Sequence, residues 1–584
     1  MKAQSYWYRY LLAVGLMGAI ANLCLGQGID ADVEPGASSP KEIQIPTVQL
    51  NPTTPSSPTP VSSPVTIARR ISNEPADVAA MNQHDNSAGT GADRAVPTAH
   101  GNKGGATPQT ENLPLDKASL LQIRKQQLGK PEFRGAWVTR FDWVSPNAEQ
   151  MRSKIVQIMD LAKAAGLNAV VFQVRADAST FYPSELEPWS HLIGGRDPGF
   201  DPVQFAIDEA HKRGLEFHAY INAMPCSEKK EGPSDPRHIW FRHCTAQSNP
   251  NWLVYEGGKP AEFKEYWWLN PNLPEVQTYV RMVVLDFATR YNVDGIHYDR
   301  IRFPGPKVSD DPWSLARFRN GANPKSLNYN EWQCENITKM LCDIYGAVIA
   351  VKPNIKFTAA VWGIHDKTRM PQGNDRAIGY SWTSSGLQDY HQDSIGWTKR
   401  GCIDALIPMI YWEMGDKKPD YDELLAYFVR NAANDRHIYG GQKVFNDVEM
   451  LRQAVATQLV GGKGTCPFTL MRVHEKGLIG FYRSAIFPDD VPTPPMPWKT
   501  QPSKAVVLVT VKDQKGMPVL DAYVKMPGRS DVWLSSADGF CAILDAEPGS
   551  NVTVTAEKDG VGRGVSESFN AIPGKPARVT VVLK

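Results

Sequence analysis

The chain has 584 residues, so it is too long for one compact core and two or more domains are expected. Its 63 basic and 62 acidic residues nearly cancel, which disfavours a nucleic-acid partner because such partners require a basic surface. The sequence also contains 16 tryptophans and 20 tyrosines. Flat aromatic faces match the apolar face of a sugar ring, so this composition is compatible with a carbohydrate ligand.

Residues 1–26 have the pattern of a secretory signal peptide. Lys2 and Arg9 lie before or at the start of an interrupted apolar run at residues 11–25, which is short for a membrane span. We expect cleavage before Gln27 and a protein that is secreted, periplasmic or on the cell surface. A lipoprotein anchored through Cys24 and an uncleaved membrane anchor are the alternatives. No integral membrane domain is expected beyond this segment.

Residues 27–120 are rich in Pro, Ser, Thr, Gly and Asn and are almost free of aromatic residues. Such a composition cannot bury enough apolar surface to offset chain entropy, so it predicts a disordered tether. Seven cysteines follow the signal segment, an odd number without a CxxC pair. The pattern supports neither structural zinc nor a dense disulfide framework. Cys226 and Cys244 could form a disulfide bond within one loop, but the sequence does not decide whether they do.

Residues 131–488 alternate between apolar strands and amphipathic helices. We predict strands at residues 133–140, 168–175, 215–222, 294–299, 356–362, 404–412, 437–440 and 477–483. We predict helices at residues 149–165, 202–213, 274–291, 328–351, 421–433 and 448–459, with no eighth helix discernible. Strands that are apolar throughout indicate a parallel sheet buried on both faces. An α/β fold in the form of a closed (β/α)₈ TIM barrel is therefore predicted. An open doubly wound sheet is the alternative, although no glycine-rich phosphate motif follows the first strand.

Residues 489–503 are proline-rich and are predicted to be a linker. Residues 504–584 alternate short apolar strands with turn residues, which predicts a small β-sandwich. The stretches VTVKDQKGMPVLDAYVKM and SSADGFCAI resemble carboxypeptidase-regulatory-like sandwich domains. This domain shows no constellation of catalytic residue types, so we expect a packing or binding role for it.

The carboxyl ends of barrel strands form the active-site face, and this rule selects the candidate residues. The predicted substrate-binding residues are Arg140, Gln173, Arg175, Asp177, Asn222, His297, Trp362, Tyr411 and Trp412. Guanidinium, amide, carboxylate and indole groups in one cup suit a polyhydroxylated ligand. No cofactor and no metal are expected, because His218 and His297 have no assured carboxylate partner and are interpreted as hydrogen-bonding residues. Trp252 and the triplet at residues 266–268 form either a sugar platform or a hydrophobic cluster.

Glycoside hydrolysis needs two carboxyl groups that flank the scissile bond. We predict Asp299 as the nucleophile and Glu413, next to an indole, as the proton donor. Their carboxyl groups should face one cavity about 5–10 Å apart, a span that covers retaining and inverting enzymes. The alternatives are that Asp299 only pairs with an arginine of the scaffold, and that Asp177 replaces one of the two acids.

Several separated segments resemble the glycosyl-hydrolase-like ten family in the family's order. They are FRGAWVTRFDW, LNAVVFQVRADASTFYPSELEPWS, PGFDPVQFAIDEAHKRGLEFHAYINA, NPNWLVY with WLNPNLPEVQTYV, YNVDGIHYDRIRFP and IDALIPMIYW. The family includes a divisome-localised bacterial glycosidase that acts on peptidoglycan strands stripped of their peptides. The resemblance implies a barrel hydrolase that acts on a bacterial envelope or exported polysaccharide.

One departure from the family pattern bears on the chemistry. The family has His-Phe-Asp-Asp-Tyr after the fourth strand, whereas this chain has His-Tyr-Asp-Arg-Ile at residues 297–301, so Arg300 replaces the second acid. Three hypotheses follow. The first is an exported, retaining glycoside hydrolase that cleaves peptidoglycan glycan strands or a related amino-sugar polymer. The second is a catalytically inactive glycan-binding barrel, and the third is an adhesion protein that works through its sandwich. The oligomeric state is not predicted.

Overall fold

The computed structural model describes residues 113–114, 116–228, 233–264, 266–368, 383–415, 419–433 and 435–584. The signal peptide predicted at residues 1–26 and most of the tether predicted at residues 27–120 lie outside the described residues. Within the described ranges, no helix is both long enough and apolar enough to cross a membrane.

The first fifteen strands belong to the barrel and to the loop after its third strand. They are β1 (Phe133–Arg134), β2 (Trp137–Val138), β3 (Ala169–Arg175), β4 (Glu216–Asn222), β5 (Pro225–Glu228), β6 (Tyr255–Glu256), β7 (Lys259–Pro260), β8 (Glu262–Phe263), β9 (Tyr266–Trp268), β10 (Gly295–Asp299), β11 (Lys356–Trp362), β12 (Ala405–Ile410), β13 (His437–Ile438), β14 (Gly440–Lys443) and β15 (Gly464–Phe468). Strands β5 to β9 form small antiparallel pairings in that loop.

The remaining ten strands form one parallel sheet that closes on itself. Phe133 of β1 pairs with Gly464 of β15, and Trp137 of β2 pairs with Val171 of β3. Since β1 and β2 are consecutive parts of the first barrel strand, and β13 and β14 are parts of the seventh, eight strands complete the ring. The predicted α/β class and (β/α)₈ barrel are therefore confirmed.

Fifteen helices lie in the described ranges, and most alternate with the barrel strands. They are α1 (Lys117–Gln127), α2 (Arg140–Trp143), α3 (Ala148–Ala164), α4 (Pro202–Lys212), α5 (Ile239–His243), α6 (Pro274–Arg290), α7 (Pro312–Arg319), α8 (Tyr329–Ile349), α9 (Gly386–Tyr390), α10 (Ser394–Lys399), α11 (Tyr421–Asn431), α12 (Asp447–Leu459), α13 (Leu470–Glu475), α14 (Ile479–Phe481) and α15 (Pro497–Thr500). Local sequence explains several ends. Asn328 and Glu331 form a capping box at α8. Gly166, just past α3, has φ +76°, a left-handed conformation that glycine adopts readily.

The eighth barrel strand lies earlier in the chain than predicted. It is β15, whereas residues 477–483 were predicted as the strand and instead contain helix α14 and the start of a π-helical turn, Tyr482–Ile486. The strand GTCPF is short and contains Pro467, which cannot donate to the sheet, so its sequence is weak as a strand signal. The eighth helical region, absent from the prediction, comprises α13, α14 and this turn.

Helix α1 corrects the end of the predicted tether at residue 120. It packs beside α12, with Gln127 Nε2 donating to Val455 O at 3.1 Å. The buried Arg124 forms a 2.6 Å ion pair with Glu132 and donates to Ile486 O at 2.8 Å. The contacts that hold this helix come from residues far away in the sequence, so the local composition does not reveal them. For this reason the composition assigned the beginning of the helix to the tether.

Residues 489–503, predicted as a linker, pack across the amino-terminal end of the barrel. Glu132 N donates to Pro492 O at 3.0 Å, and Thr493 Oγ1 donates to Glu216 Oε1 at 2.7 Å. Lys499 Nζ lies 2.8 Å from Asp404 Oδ2, with both side chains buried. The segment joins the two domains, and its contacts also hold it against the barrel.

The carboxy-terminal domain contains nine strands: β16 (Ala505–Lys512), β17 (Tyr523–Lys525), β18 (Trp533–Leu534), β19 (Phe540–Ala546), β20 (Gly549–Val552), β21 (Thr555–Lys558), β22 (Gly562–Val565), β23 (Phe569–Ala571) and β24 (Ala577–Val582). One sheet has the order β19-β16-β24, and another has the order β18-β17-β21-β22. Their apolar side chains, such as Val509, Val524 and Ile543, form one buried core. This arrangement fits the predicted small sandwich.

The sandwich is docked on the outer helices of the barrel. Asp343 of α8 accepts hydrogen bonds from Ala542 N at 2.8 Å and from Ser536 Oγ at 3.0 Å. A Cβ at Gly346 would lie 2.6 Å from the Ala542 side chain, so glycine permits this close approach. Arg317 and Asp521 form a two-point ion pair, at 2.6 and 3.0 Å. The domain interface therefore combines ion pairs and hydrogen bonds with close apolar packing.

Candidate active site

Asp299 lies at the carboxyl end of β10 and is 9% exposed. Its Oδ2 accepts a 2.6 Å hydrogen bond from the Tyr220 hydroxyl, and its Oδ1 accepts a 2.6 Å hydrogen bond from the backbone N–H of Arg300. Arg302 Nη1 is 3.6 Å from Oδ1. These contacts hold the carboxylate in one orientation at the mouth of the barrel.

The two arginines after Asp299 have different surroundings. Arg300 has φ +53°, a left-handed conformation that is uncommon for a side chain of this size, and its guanidinium lies 5.0 Å from the Tyr266 ring centre. The Arg302 guanidinium lies 5.7 Å from the Trp362 ring centre and 5.9 Å from that of Trp268. Cation–π contacts of this kind place positive charge among aromatic faces beside Asp299.

One wall of the cup is built by the long loop after the third barrel strand. Strands β5 and β9 pair antiparallel in this loop. Arg140 Nη2 donates to the Tyr266 hydroxyl at 2.7 Å and to Glu228 Oε1 at 3.3 Å. Tyr266 and Trp268 are buried, so they form a wall of the cup and not an open sugar platform.

Glu228 and Asp177 border a small cavity beside Arg140. The cavity is also lined by Ser179, Trp189, His191 and His238. Burial raises the pKa of Glu228, and the Asp177 carboxylate raises it further, whereas Arg140 and His191 act in the opposite direction. A carboxyl group whose pKa is raised in this way has the character of a general acid.

Three predicted substrate-binding residues lie deeper in the barrel. Arg175 is fully buried and pairs with Glu187 at 2.6 Å, so its guanidinium supports the fold beneath the cup. Gln173 Oε1 accepts from Arg140 N at 2.9 Å, which positions the Arg140 backbone. His297 Nε2 accepts from Trp137 Nε1 at 3.0 Å, and burial lowers the pKa of His297 well below its usual range.

Asn222 ends β4 beside Asp299, with which it is in register. Its side chain is buried, and its Oδ1 has no hydrogen-bond partner among the residues that the structure describes. Trp362 is buried, donates from Nε1 to Ser384 O at 2.8 Å, and faces Arg302. These two residues therefore lie with Asp299 around the cup.

Tyr411, Trp412 and Glu413 follow β12. Tyr411 is buried, with its ring 6.2 Å from that of Phe468, and Trp412 is half-buried. Glu413 is exposed and lies near Glu449, whose pKa is raised by burial and further by the Glu413 charge. The described contacts do not join Glu413 to Asp299, and the predicted separation of 5–10 Å stays a prediction.

Two residues of the contact network were absent from the predicted site. Tyr220 was not among the predicted residues, although alternation along its strand places it inside the barrel with His218 and Asn222. Glu228 lies in a loop hairpin, and only the pairing of β5 with β9 brings it to Arg140. Within the described ranges, His, Cys, Asp and Glu side chains form no group of three that could hold a metal ion.

The fold and the site together define a class: a (β/α)₈ barrel with carboxylates, guanidinium groups and indoles gathered at the carboxyl ends of its strands. The family model described as Glycosyl hydrolase-like 10 matches residues 132–454, and the chain belongs to this family. The resemblance of its sequence segments is therefore confirmed. Membership supports hydrolysis of glycosidic bonds and a carbohydrate substrate.

Two relatives agree with this assignment. The chain is 26% identical to the glycosyl hydrolase YngK of Bacillus subtilis (strain 168) over 415 residues, which cover 66% of this chain and 78% of YngK. It is 27% identical to the glycosyl hydrolase DigH of Escherichia coli (strain K12) over 355 residues, which cover 55% of this chain and 75% of DigH.

A likeness to solved structures is weaker. The glycoside hydrolase domain of PgaB (BpsB) from Bordetella bronchiseptica gives a TM-score of 0.43 at 14% identity, over 60% of this chain and 98% of that domain. The β-amylase catalytic domain from Paenibacillus polymyxa gives 0.41 at 13% identity, over 62% and 100%. The assignment of the barrel rests on the strand pairing within this chain.

Proposed function

We propose that the protein is an exported glycoside hydrolase that cleaves a bacterial envelope or extracellular polysaccharide. The substrate class is peptidoglycan glycan strands or a related amino-sugar polymer. The family and the relatives support glycan hydrolysis, and the pattern of residues 1–26 supports export. The single observation that carries the proposal is the fixed carboxylate of Asp299 at the barrel mouth.

The mechanism we propose is retaining and uses two carboxyl groups. Asp299 attacks the anomeric carbon, because Tyr220 and the Arg300 N–H hold its carboxylate in place. A second carboxyl group protonates the leaving oxygen, and water then hydrolyses the glycosyl–enzyme bond. The guanidinium groups of Arg302 and Arg300 lie beside Asp299. Neither can donate that proton, because the arginine guanidinium group does not lose its proton in proteins.

The second carboxyl group has two candidates. Glu413 is the one that the sequence predicts, and it lies on the loop after β12. Glu228 has the environment of an acid, since burial and Asp177 raise its pKa and Arg140 holds it at 3.3 Å. We favour Glu228 as the proton donor on this ground.

The test uses the purified full chain and a panel of purified envelope glycans. Asp299→Asn keeps the shape and hydrogen bonding of the side chain but removes its nucleophilicity. We expect release of reducing ends to fall by several powers of ten while glycan affinity is largely kept. Asp310→Asn is the matched control, because Asp310 is exposed and accepts only from Gly258 N in the described contacts. NMR of the first product reports whether the anomeric configuration is retained.

A glycan-binding barrel without activity is the second candidate function, and Arg300 favours it because it replaces the family's second acid. It predicts no turnover in either wild type or Asp299→Asn, with affinity that falls in Trp362→Ala or Trp412→Ala. Turnover that survives in Asp299→Asn would remove Asp299 from the mechanism and turn attention to Asp177.

A further inference from the structure

Two cysteine thiols meet in the wall of the cup. Cys226 lies in β5 and Cys244 directly follows α5. Their Sγ atoms are 3.7 Å apart, and the two residues are 0% and 4% exposed. Each thiol therefore has the other as a neighbour in a site closed to solvent.

We propose that Cys226 and Cys244 form a disulfide bond in the mature protein, and that this bond fixes the loop wall that carries Glu228. A disulfide requires about 2.05 Å between the sulphur atoms, so the two thiols must approach by less than the width of one atom. The proposal rests on the proposed export, because disulfides persist in oxidising compartments.

The surrounding contacts show what the bond would hold. Glu228 lies two residues after Cys226 in β5, and β5 pairs with β9, whose Tyr266 accepts from Arg140. Helix α5 contacts this sheet through Trp240, whose ring centre is 5.5 Å from that of Trp267. The described residues of this loop include the short strands β5 to β9 and the five-residue helix α5. A covalent link between β5 and α5 would restrict the loop and keep Glu228 at Arg140.

The reaction balances with a disulfide-bearing oxidant, either a protein disulfide or oxidised glutathione. The two thiols lose two protons and two electrons and form one S–S bond, and the oxidant gains them and becomes two thiols. Burial raises the pKa of the Cys226 thiol well above its usual range, and contact with Cys244 raises it further. The thiolate is the reactive form, so the bond should form during folding, before the site closes.

The first experiment maps the bond in the purified full chain. The reduced protein is unfolded, refolded in a glutathione redox buffer and treated with an alkylating agent, and it is then digested without reductant and analysed by mass spectrometry. We expect one linked peptide pair that contains Cys226 and Cys244 and is two hydrogens lighter than the separate peptides. The pair should be absent from Cys226→Ser and from Cys244→Ser. It should persist in Cys466→Ser, because Cys466 is buried elsewhere, in β15. Two alkylated thiols at 226 and 244 in the refolded wild type would overturn the proposal whatever the catalytic activity is.

The second experiment tests whether the exported protein contains the disulfide bond. Protein collected from the exported fraction of a producing cell is alkylated at once and mapped in the same way, and the linked pair is expected. A bond that forms during refolding but is absent from this fraction would overturn the proposal for the mature protein.

The third experiment measures what the bond does. Limited proteolysis of the Cys226→Ser/Cys244→Ser double variant should cleave between residues 226 and 244 several-fold faster than in oxidised wild type. Cleavage elsewhere and the unfolding midpoint of the barrel serve as the reference. An unchanged cleavage rate in this loop would overturn the role in fixing the wall. None of these readouts depends on hydrolysis, so failure of the proposed function is detected separately.

Discussion

The hydroxyl of Tyr220 donates a 2.6 Å hydrogen bond to Oδ2 of Asp299, and this bond joins the third and fourth barrel strands at the base of the cup. Burial raises the pKa of Tyr220 well above its usual range, and the Asp299 charge raises it further. The phenol therefore keeps its proton across the physiological range and acts as a permanent donor to the carboxylate. Tyr220 is a positioning residue for Asp299.

We expect Tyr220→Phe to lower kcat by about 10- to 100-fold, since a hydrogen bond to a charged group contributes about 1.5–3 kcal/mol. KM should change little, because the hydroxyl faces Asp299 and not the bulk of the glycan. Steady-state kinetics on a purified glycan measure both constants. Tyr298→Phe is the control, since Tyr298 is also buried and its hydroxyl has no hydrogen-bond partner in the described part of the chain. Equal losses in the two variants would contradict a specific role for Tyr220.

The identity of the proton donor is tested with leaving groups of different quality. Glu228→Gln should slow cleavage of a natural glycan by about 100- to 10,000-fold, the usual contribution of a general acid. It should slow an aryl glycoside with an acidic phenol much less, because such a phenol leaves without protonation. The variant should also lose the fall in activity at high pH, since the raised pKa of Glu228 sets where the acid loses its proton. If Glu413→Gln shows this pattern and Glu228→Gln does not, then Glu413 is the donor.

The amino-terminal end of the barrel should respond to acid through Glu216. Burial alone would raise the pKa of Glu216, but hydrogen bonds and charge from His218 and Lys356 hold it at about 2. A depressed carboxyl pKa stabilises the fold above pH 4.5, and this contribution is lost as the pH falls from about 4.5 to about 2. The shift corresponds to a little over 3 kcal/mol, and partial exposure of the side chain to solvent reduces this contribution to about 2–3 kcal/mol.

The comparison of wild type with Glu216→Gln checks this contribution. Urea unfolding should show a difference of about 2–3 kcal/mol near pH 6 that shrinks toward zero near pH 2. Glu149→Gln, at an 87% exposed side chain, is the control and should show little difference at either pH. A difference that does not depend on pH would mean that Glu216 contributes through packing and not through its charge.

The docked sandwich should stabilise the barrel. Asp521→Ala removes the two-point partner of the half-buried Arg317 guanidinium, which should cost up to about 3 kcal/mol. Urea unfolding of the full chain should show this loss, and Asp559→Ala, at an exposed aspartate of the same domain, should show almost none. Should Asp521→Ala shift only a separate transition of the sandwich, the two domains would be unfolding independently.

Much of the barrel could be predicted because its strands are continuous apolar runs that end at polar residues. Strand β11 was predicted at its observed bounds, and Asp299 was found because it ends a strand. β15 was missed because its five residues include a proline, and its place is set by pairing with β1 and β14. Local patterns do not contain such pairings between distant segments.

The residues of the site, like the strands of the barrel, were predicted only in part. The rule that strand ends face the active site selected Asn222 and Trp362 as well as Asp299. It also selected Arg175, which the structure pairs with Glu187, because the rule cannot distinguish a guanidinium that is already satisfied within the protein. The rule did not select Glu228, because this residue lies in a hairpin of the long loop and not at the end of a barrel strand.

The seam of the ring joins strands from opposite ends of the barrel sequence, β1 with β15. Bringing these two strands together costs chain entropy, and the hydrogen bonds and packing that offset this cost can form only when the last strand is present. During synthesis, the segments that carry Glu228, Asp299 and Trp362 would therefore leave the ribosome as an open sheet with unpaired edges. The cup would not exist as a binding surface until the chain had been made past Phe468, so the site should mature late and all at once.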